Sequence, residues 1–233
     1  MENFFYRKKL PHWQPPEGTF FITYRLFGSI PKPVIERLKF AYDEALHQIE
    51  IQAADEADKM RREQNIMGKL PMDILRKIES ISNKKRYDEQ KRYFKKFDDF
   101  LDGNLNEPHF LKNPAVAALN AQALHFYEEK LYKLWAYCIM SNHVHVLLTL
   151  LPEAPPLWKV MQDIKKYTGT QGNKILGRKG EKFWEDESYD HLVRAKEGAF
   201  ERILFYILNN PVKAGMVKEW TAYEWSFCHP DLC

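Results

Sequence analysis

The run Tyr137-Cys138-Ile139-Met140-Ser141-Asn142-His143-Val144-His145-Val146-Leu147-Leu148-Thr149-Leu150 constrains the fold more than any other part of the chain. It is dense in Val, Ile, Leu and Thr and holds no Gly or Pro, which predicts a strand with buried character. Side chains alternate faces along a strand, so His143 and His145 share one face and Val144 takes the other. Two neutral imidazoles side by side can grip a divalent metal or relay a proton; the same spacing also describes edge histidines facing solvent.

A second segment carries chemistry of its own. In residues 157–176, Leu157, Val160, Met161 and Ile164 recur at helical spacing and predict an amphipathic helix. Tyr167 extends its apolar side directly after Lys165 and Lys166, and Gln171 follows one turn later on the same face. A tyrosine is a nucleophile when its proton is removed and its target activated, and neighbouring lysines suit a polyanion. The competing reading makes Tyr167 the last core aromatic of its helix.

The rest of the chain supplies the frame. Residues 18–27 alternate and predict a strand. Residues 34–102 read as a helical insertion: one helix to about Arg62, a break at Gly68–Pro71, a second helix from Pro71, and a third from Lys84 to Phe100, basic and interleaved with aromatics. Such a mixture binds single strands or is simply a solvated helix face. Pro114 opens a helix near its first position. Residues 131–138 predict a strand hairpinned to the histidine strand. Gly169, Gly172, Gly177 and Gly180 read as joints that loosen the end of the tyrosine helix. Lys174, Arg178, Lys179 and Lys182 cluster after it. A short strand at 191–194, a helix at 198–209 and an aromatic tail at 218–233 complete the chain. Strand, helix, two strands, helix, strand predicts an antiparallel α+β sheet with helices on one face, ferredoxin-like.

Composition adds bounds. The chain has 233 residues, 45% hydrophobic and 29% charged, with a net charge of +3, so any DNA site must come from local clustering. No apolar run approaches the roughly 20 residues that span a bilayer, and the first residues hold no signal-peptide core. Cys138, Cys228 and Cys233 have no paired spacing, which fits a reducing, cytoplasmic setting. Half a metal site at Cys228-His229 and Cys233 is the lesser reading.

Taken together, these motifs resemble the His-hydrophobic-His (HUH) single-strand nucleases, and most of all the REP-associated tyrosine transposases, relatives of single-strand insertion-sequence transposases. Met140–Leu148 (MSNHVHVLL) resembles the signature strand, Gly18–Leu26 the first strand and Lys165–Thr168 the tyrosine helix; Phe183–His191, Asn209–Val217 and Trp225-Ser226 resemble the C-terminal signatures. Ser141 stands where that family usually has Pro. The resemblance implies one HUH domain over 1–233, with 34–102 inserted after the first strand. It implies a metal-dependent transposase that cuts and rejoins single-stranded DNA at palindromic hairpins through a 5′-phosphotyrosine, near the nucleoid. Tyr167 would be the nucleophile, and His143, His145 and Gln171 the ligands of Mg²⁺ or Mn²⁺. DNA contacts would come from Lys165, Lys166, Arg178, Lys179, Lys182, Trp184, Arg194 and Asn142. A non-catalytic hairpin-binding protein and a hydrolase using water remain alternatives, and monomer and homodimer are both open.

Overall fold

The computed structural model describes residues 5–7, 11–103, 108–194 and 198–233. The described chain divides into two compact units, one of residues 30–103 and one of the remainder.

The larger unit begins with two short strands, β1 (Phe5–Arg7) and β2 (Pro11–Trp13), which pair with each other. Five more strands form one antiparallel sheet: β3 (Thr19–Arg25), β4 (Tyr132–Ile139), β5 (His143–Leu150), β6 (Tyr189–Leu192) and β7 (Ser226–Cys228), in the order β6-β3-β5-β4-β7. The first four give the ferredoxin-like α+β arrangement, with the histidine strand β5 in the centre. The expected tail is part of this sheet, because β7 pairs with β4.

Register sorts the side chains. Ile22 lies opposite Val146 and Phe20 opposite Leu148, so the even positions of β3 and β5 share a face. That face is buried under α3 (Pro114–Phe126) and α4 (Leu157–Ile175), and Val144, Val146, Val116, Leu124, Val160 and Ile164 join one apolar cluster. Asn113 caps α3 by accepting from the Ala115 N–H, and Pro114 costs nothing where the helix needs no donor. A bulge in β4 between Leu134 and Ala136 reverses the alternation, so Leu134 before it and Tyr137 and Ile139 after it all reach this cluster.

The odd positions face the other way, against α5 (Ala199–Leu208), which leads into α6 (Asn210–Lys213). Phe200 packs edge-on to Trp135, and Tyr206 edge-on to Phe21. Helices therefore cover both faces, α3 and α4 on the expected one and α5 on the other.

Two details depart from the sequence reading in the larger unit. Gly169 and Gly172 lie inside α4, which runs on to Ile175, and a Cβ at Gly172 would come within 2.8 Å of the Phe183 ring. They are close-approach positions rather than joints; only Gly177 and Gly180 take the positive φ that favours glycine, at 69° and 85°. Cys228 and Cys233 are joined in a disulfide, which a reducing setting did not anticipate and which removes both sulfurs from any metal site. Cys138 is free and buried.

The smaller unit is two helices, α1 (Lys32–Glu63) and α2 (Met72–Gly103), of 32 residues each. They run antiparallel: Tyr42 packs on Tyr93, and Lys85 donates to Gln52. The break expected between two helices near 79–84 is absent; the Ser82 hydroxyl donates to the Ile78 carbonyl within the continuous helix.

Candidate functional site

The centre of the sheet holds the histidines on the α5 side. Both are fully buried. Cross-strand neighbours are fixed by register: Thr23 opposite His145 on β3, Cys138 opposite His145 on β4, and Arg25 opposite His143. The imidazole Nε2 atoms of His143 and His145 converge to 3.1 Å.

The outer ring nitrogens are held. His143 Nδ1 is 2.7 Å from the Asn142 side-chain oxygen, which can only accept, so Nδ1 carries a proton and donates. The Asn210 side-chain N–H donates to His145 Nε2 at 3.2 Å, so that nitrogen presents a lone pair and His145 Nδ1–H donates to the Thr23 hydroxyl at 2.7 Å. The two Nε2 atoms face each other across 3.1 Å, close enough for one cation to engage both when neither carries a proton. The Asn210 side-chain oxygen is buried with no hydrogen-bond partner. The donor set and this orphaned oxygen fit a metal ion. The Phe21 ring stacks at 5.6 Å from His145 and Tyr206 closes the same side at 5.6 Å, which excludes water from the pair.

Tyr167 sits elsewhere. It is 52% exposed on α4, whose inward residues Val160 and Ile164 pack on the sheet face formed by Val144 and Val146. The imidazoles point to the opposite face, so Tyr167 and Gln171 belong to the layer across the sheet from His143 and His145. α4 is tied to that layer by Trp184, which donates its indole N–H to Thr168 at 2.9 Å and packs edge-on to Tyr24 at 4.8 Å.

The expected DNA contacts divide into two groups. Trp184 is 5% exposed and enclosed by Tyr24 and Phe183, so it is a core residue with no face open to a base. Asn142 is 1% exposed and serves His143. Arg178 lies over the Phe110 ring at 3.8 Å and binds Glu181, a structural placement. Lys165 donates to the Asp186 carbonyl and Ser188, and Lys182 to the Asp186 carboxylate. Lys166, Lys179 and Arg194 are exposed. A cleft of about 1160 Å³ between α4 and residues 179–188 is lined by five lysines and five carboxylates, so its field does not select a polyanion.

Sequence reasoning missed Thr23, Asn210 and Tyr206. The signal for Thr23 was its place on the histidine side of the first strand; for Asn210 it was a polar pair, Asn209-Asn210, before Pro211 at the end of an apolar helix.

Residues 107–210 match the family model described as "Transposase IS200 like". Over this stretch the chain is similar to IS200-like transposases. The stretch contains the histidine strand, the tyrosine helix and Asn210. A solved structure of a REP-associated tyrosine transposase bound to a REP hairpin is similar over 97% of this chain and 82% of that chain, at 15% identity and a TM-score of 0.49. No curated protein matches the chain. Among the described residues, no helix is long and apolar enough to cross a membrane.

Proposed function

We propose that the protein is a metal-dependent transposase that cleaves and rejoins single-stranded DNA at hairpin elements, with Tyr167 as nucleophile. The buried, converging imidazole pair, inside the stretch similar to IS200-like transposases, is the observation that carries this reading. His143 and His145 would hold the ion. Their Nε2 atoms, 3.1 Å apart, would supply two nitrogen ligands to a divalent ion, for which we take Mg²⁺ or Mn²⁺. When bound, the ion polarises the scissile phosphate and neutralises charge that develops on it.

The chain's own residues do the rest. Asn142 and Thr23 fix both rings, so no reorientation is needed when substrate arrives. The Tyr167 oxygen attacks phosphorus, and the bond from phosphorus to the 3′-oxygen breaks. The phenol gives up a proton and the leaving oxygen takes one up, which yields a 5′-phosphotyrosine and a 3′-hydroxyl. Rejoining runs this step backwards with another 3′-hydroxyl. Tyr167 reaches the phosphate either by movement of α4 or from a second copy of the chain. Lys166, Lys179 and Arg194 are the exposed cations for phosphates, and Trp158, 48% exposed on α4, replaces Trp184 as the surface on which a base can stack.

Wild-type protein with labelled hairpin oligonucleotides and Mn²⁺ should give a protease-sensitive shifted band on a denaturing gel. Y167F and H143A should bind DNA and give none. Cleavage by Y167F at the wild-type rate would make water, or another tyrosine, the nucleophile. The placement of Tyr167 across the sheet favours a second reading, a hairpin-binding protein without catalysis; tight binding with no band from wild type would establish it.

A further inference from the structure

We propose that Asn210 is a ligand of the metal, its side-chain oxygen joining the Nε2 atoms of His143 and His145. This rests on the reading of the histidine pair as a metal site. Asn210 is 1% exposed, and its amide lies at 3.2 Å from His145 Nε2. Its oxygen is buried without a hydrogen-bond partner.

As it stands the amide offers nitrogen to His145. A half-turn about the bond to the amide carbon exchanges nitrogen and oxygen, which occupy nearly the same space. The oxygen then lies where the nitrogen is now, about as far from His145 Nε2 as His143 Nε2 is. Separations of 3.1 and 3.2 Å place the three atoms close enough together to hold one ion. Mg²⁺ and Mn²⁺ are hard cations, and an amide oxygen suits them better than a third imidazole.

The fold holds Asn210 in place. Tyr206 packs on His145 one turn earlier, Ile207 and Leu208 are buried, and Pro211 follows at once, so the backbone at 210 is fixed over the pair. Gln171, the ligand implied by resemblance, lies on α4 across the sheet.

The test is Mn²⁺ binding by the full chain without DNA, read by electron paramagnetic resonance of the free ion. H143A and N210A should each weaken binding at least tenfold. N210D, which restores an oxygen of the same reach, should bind as tightly as wild type or tighter. Q171A should stay within twofold. Melting in chelator separates loss of a ligand from loss of fold. Weakening in N210A that N210D does not restore would mark Asn210 as a structural residue and overturn the proposal. So would normal binding by N210A when H143A binds weakly. Normal binding by H143A would instead sink the metal reading on which the proposal rests.

Discussion

At the scale of single residues, the site depends on which atom each polar side chain turns towards its neighbour. The Asn142 side-chain oxygen accepts from His143 Nδ1, and that leaves Nε2 facing the pair. Partners of this kind typically govern metal affinity by 10–100-fold. Asn142→Ala should therefore weaken Mn²⁺ binding about tenfold or more in a titration monitored by calorimetry; unchanged affinity would show that burial alone orients the ring. The two histidines were legible because strand alternation is local. Thr23 and Asn210 were not, since nothing within ten residues of either shows that it meets His145. Asn142 looked like a DNA contact because its exposure depends on the whole sheet.

At the scale of elements, α4 shows how packing overrides a local signal. Four glycines in and after a helix suggest looseness, yet Gly172 is where the helix backbone meets the Phe183 ring. Gly172→Ala should destabilise the protein by about 1–3 kcal/mol in chemical denaturation, as overpacking does. Combining it with Phe183→Leu should cost less than the two single changes summed, because the smaller side chain removes the clash; strict additivity would exclude that contact as the cause. Trp184 follows the same logic. Its aromatic ring suggested a stacking platform, and only the three-dimensional neighbours Tyr24 and Thr168 reveal a core residue. The continuous α2 was hidden by Ser82-Asn83, polar residues that usually end helices but here bond within one.

At the scale of the molecule, the alternation of strands and helices made the ferredoxin-like sheet legible, and the bulge in β4 was not, since no residue type marks it. The core of this sheet also sets an alkaline limit. Burial, with Glu128 adding to it, pushes the Tyr137 phenol up to about 12, and burial pushes Tyr24, Tyr132 and Tyr223 higher still. Tyr132 and Tyr223 donate to the Leu124 and Ile139 carbonyls. A folded pKa above the unfolded 10.0 contributes stability that is fully present below pH 10 and lost as pH rises through the folded value. Phenolate absorbance and circular dichroism followed together above pH 10 should show a late group of tyrosines ionising only as the fold is lost. Ionisation of every tyrosine near pH 10 with the fold intact would contradict the buried placement.

The central claim is that Tyr167 becomes covalently bound to DNA at a site built on His143 and His145. The direct measurement is to form the adduct with Mn²⁺ and hairpin DNA, digest it with trypsin and nuclease, and locate the residual nucleotide by mass spectrometry. The expected result is a nucleotide phosphate on the peptide Tyr167–Lys174, absent from H143A protein. A nucleotide on Tyr206, which already lies against His145, or cleaved DNA with no modified peptide, would contradict the account.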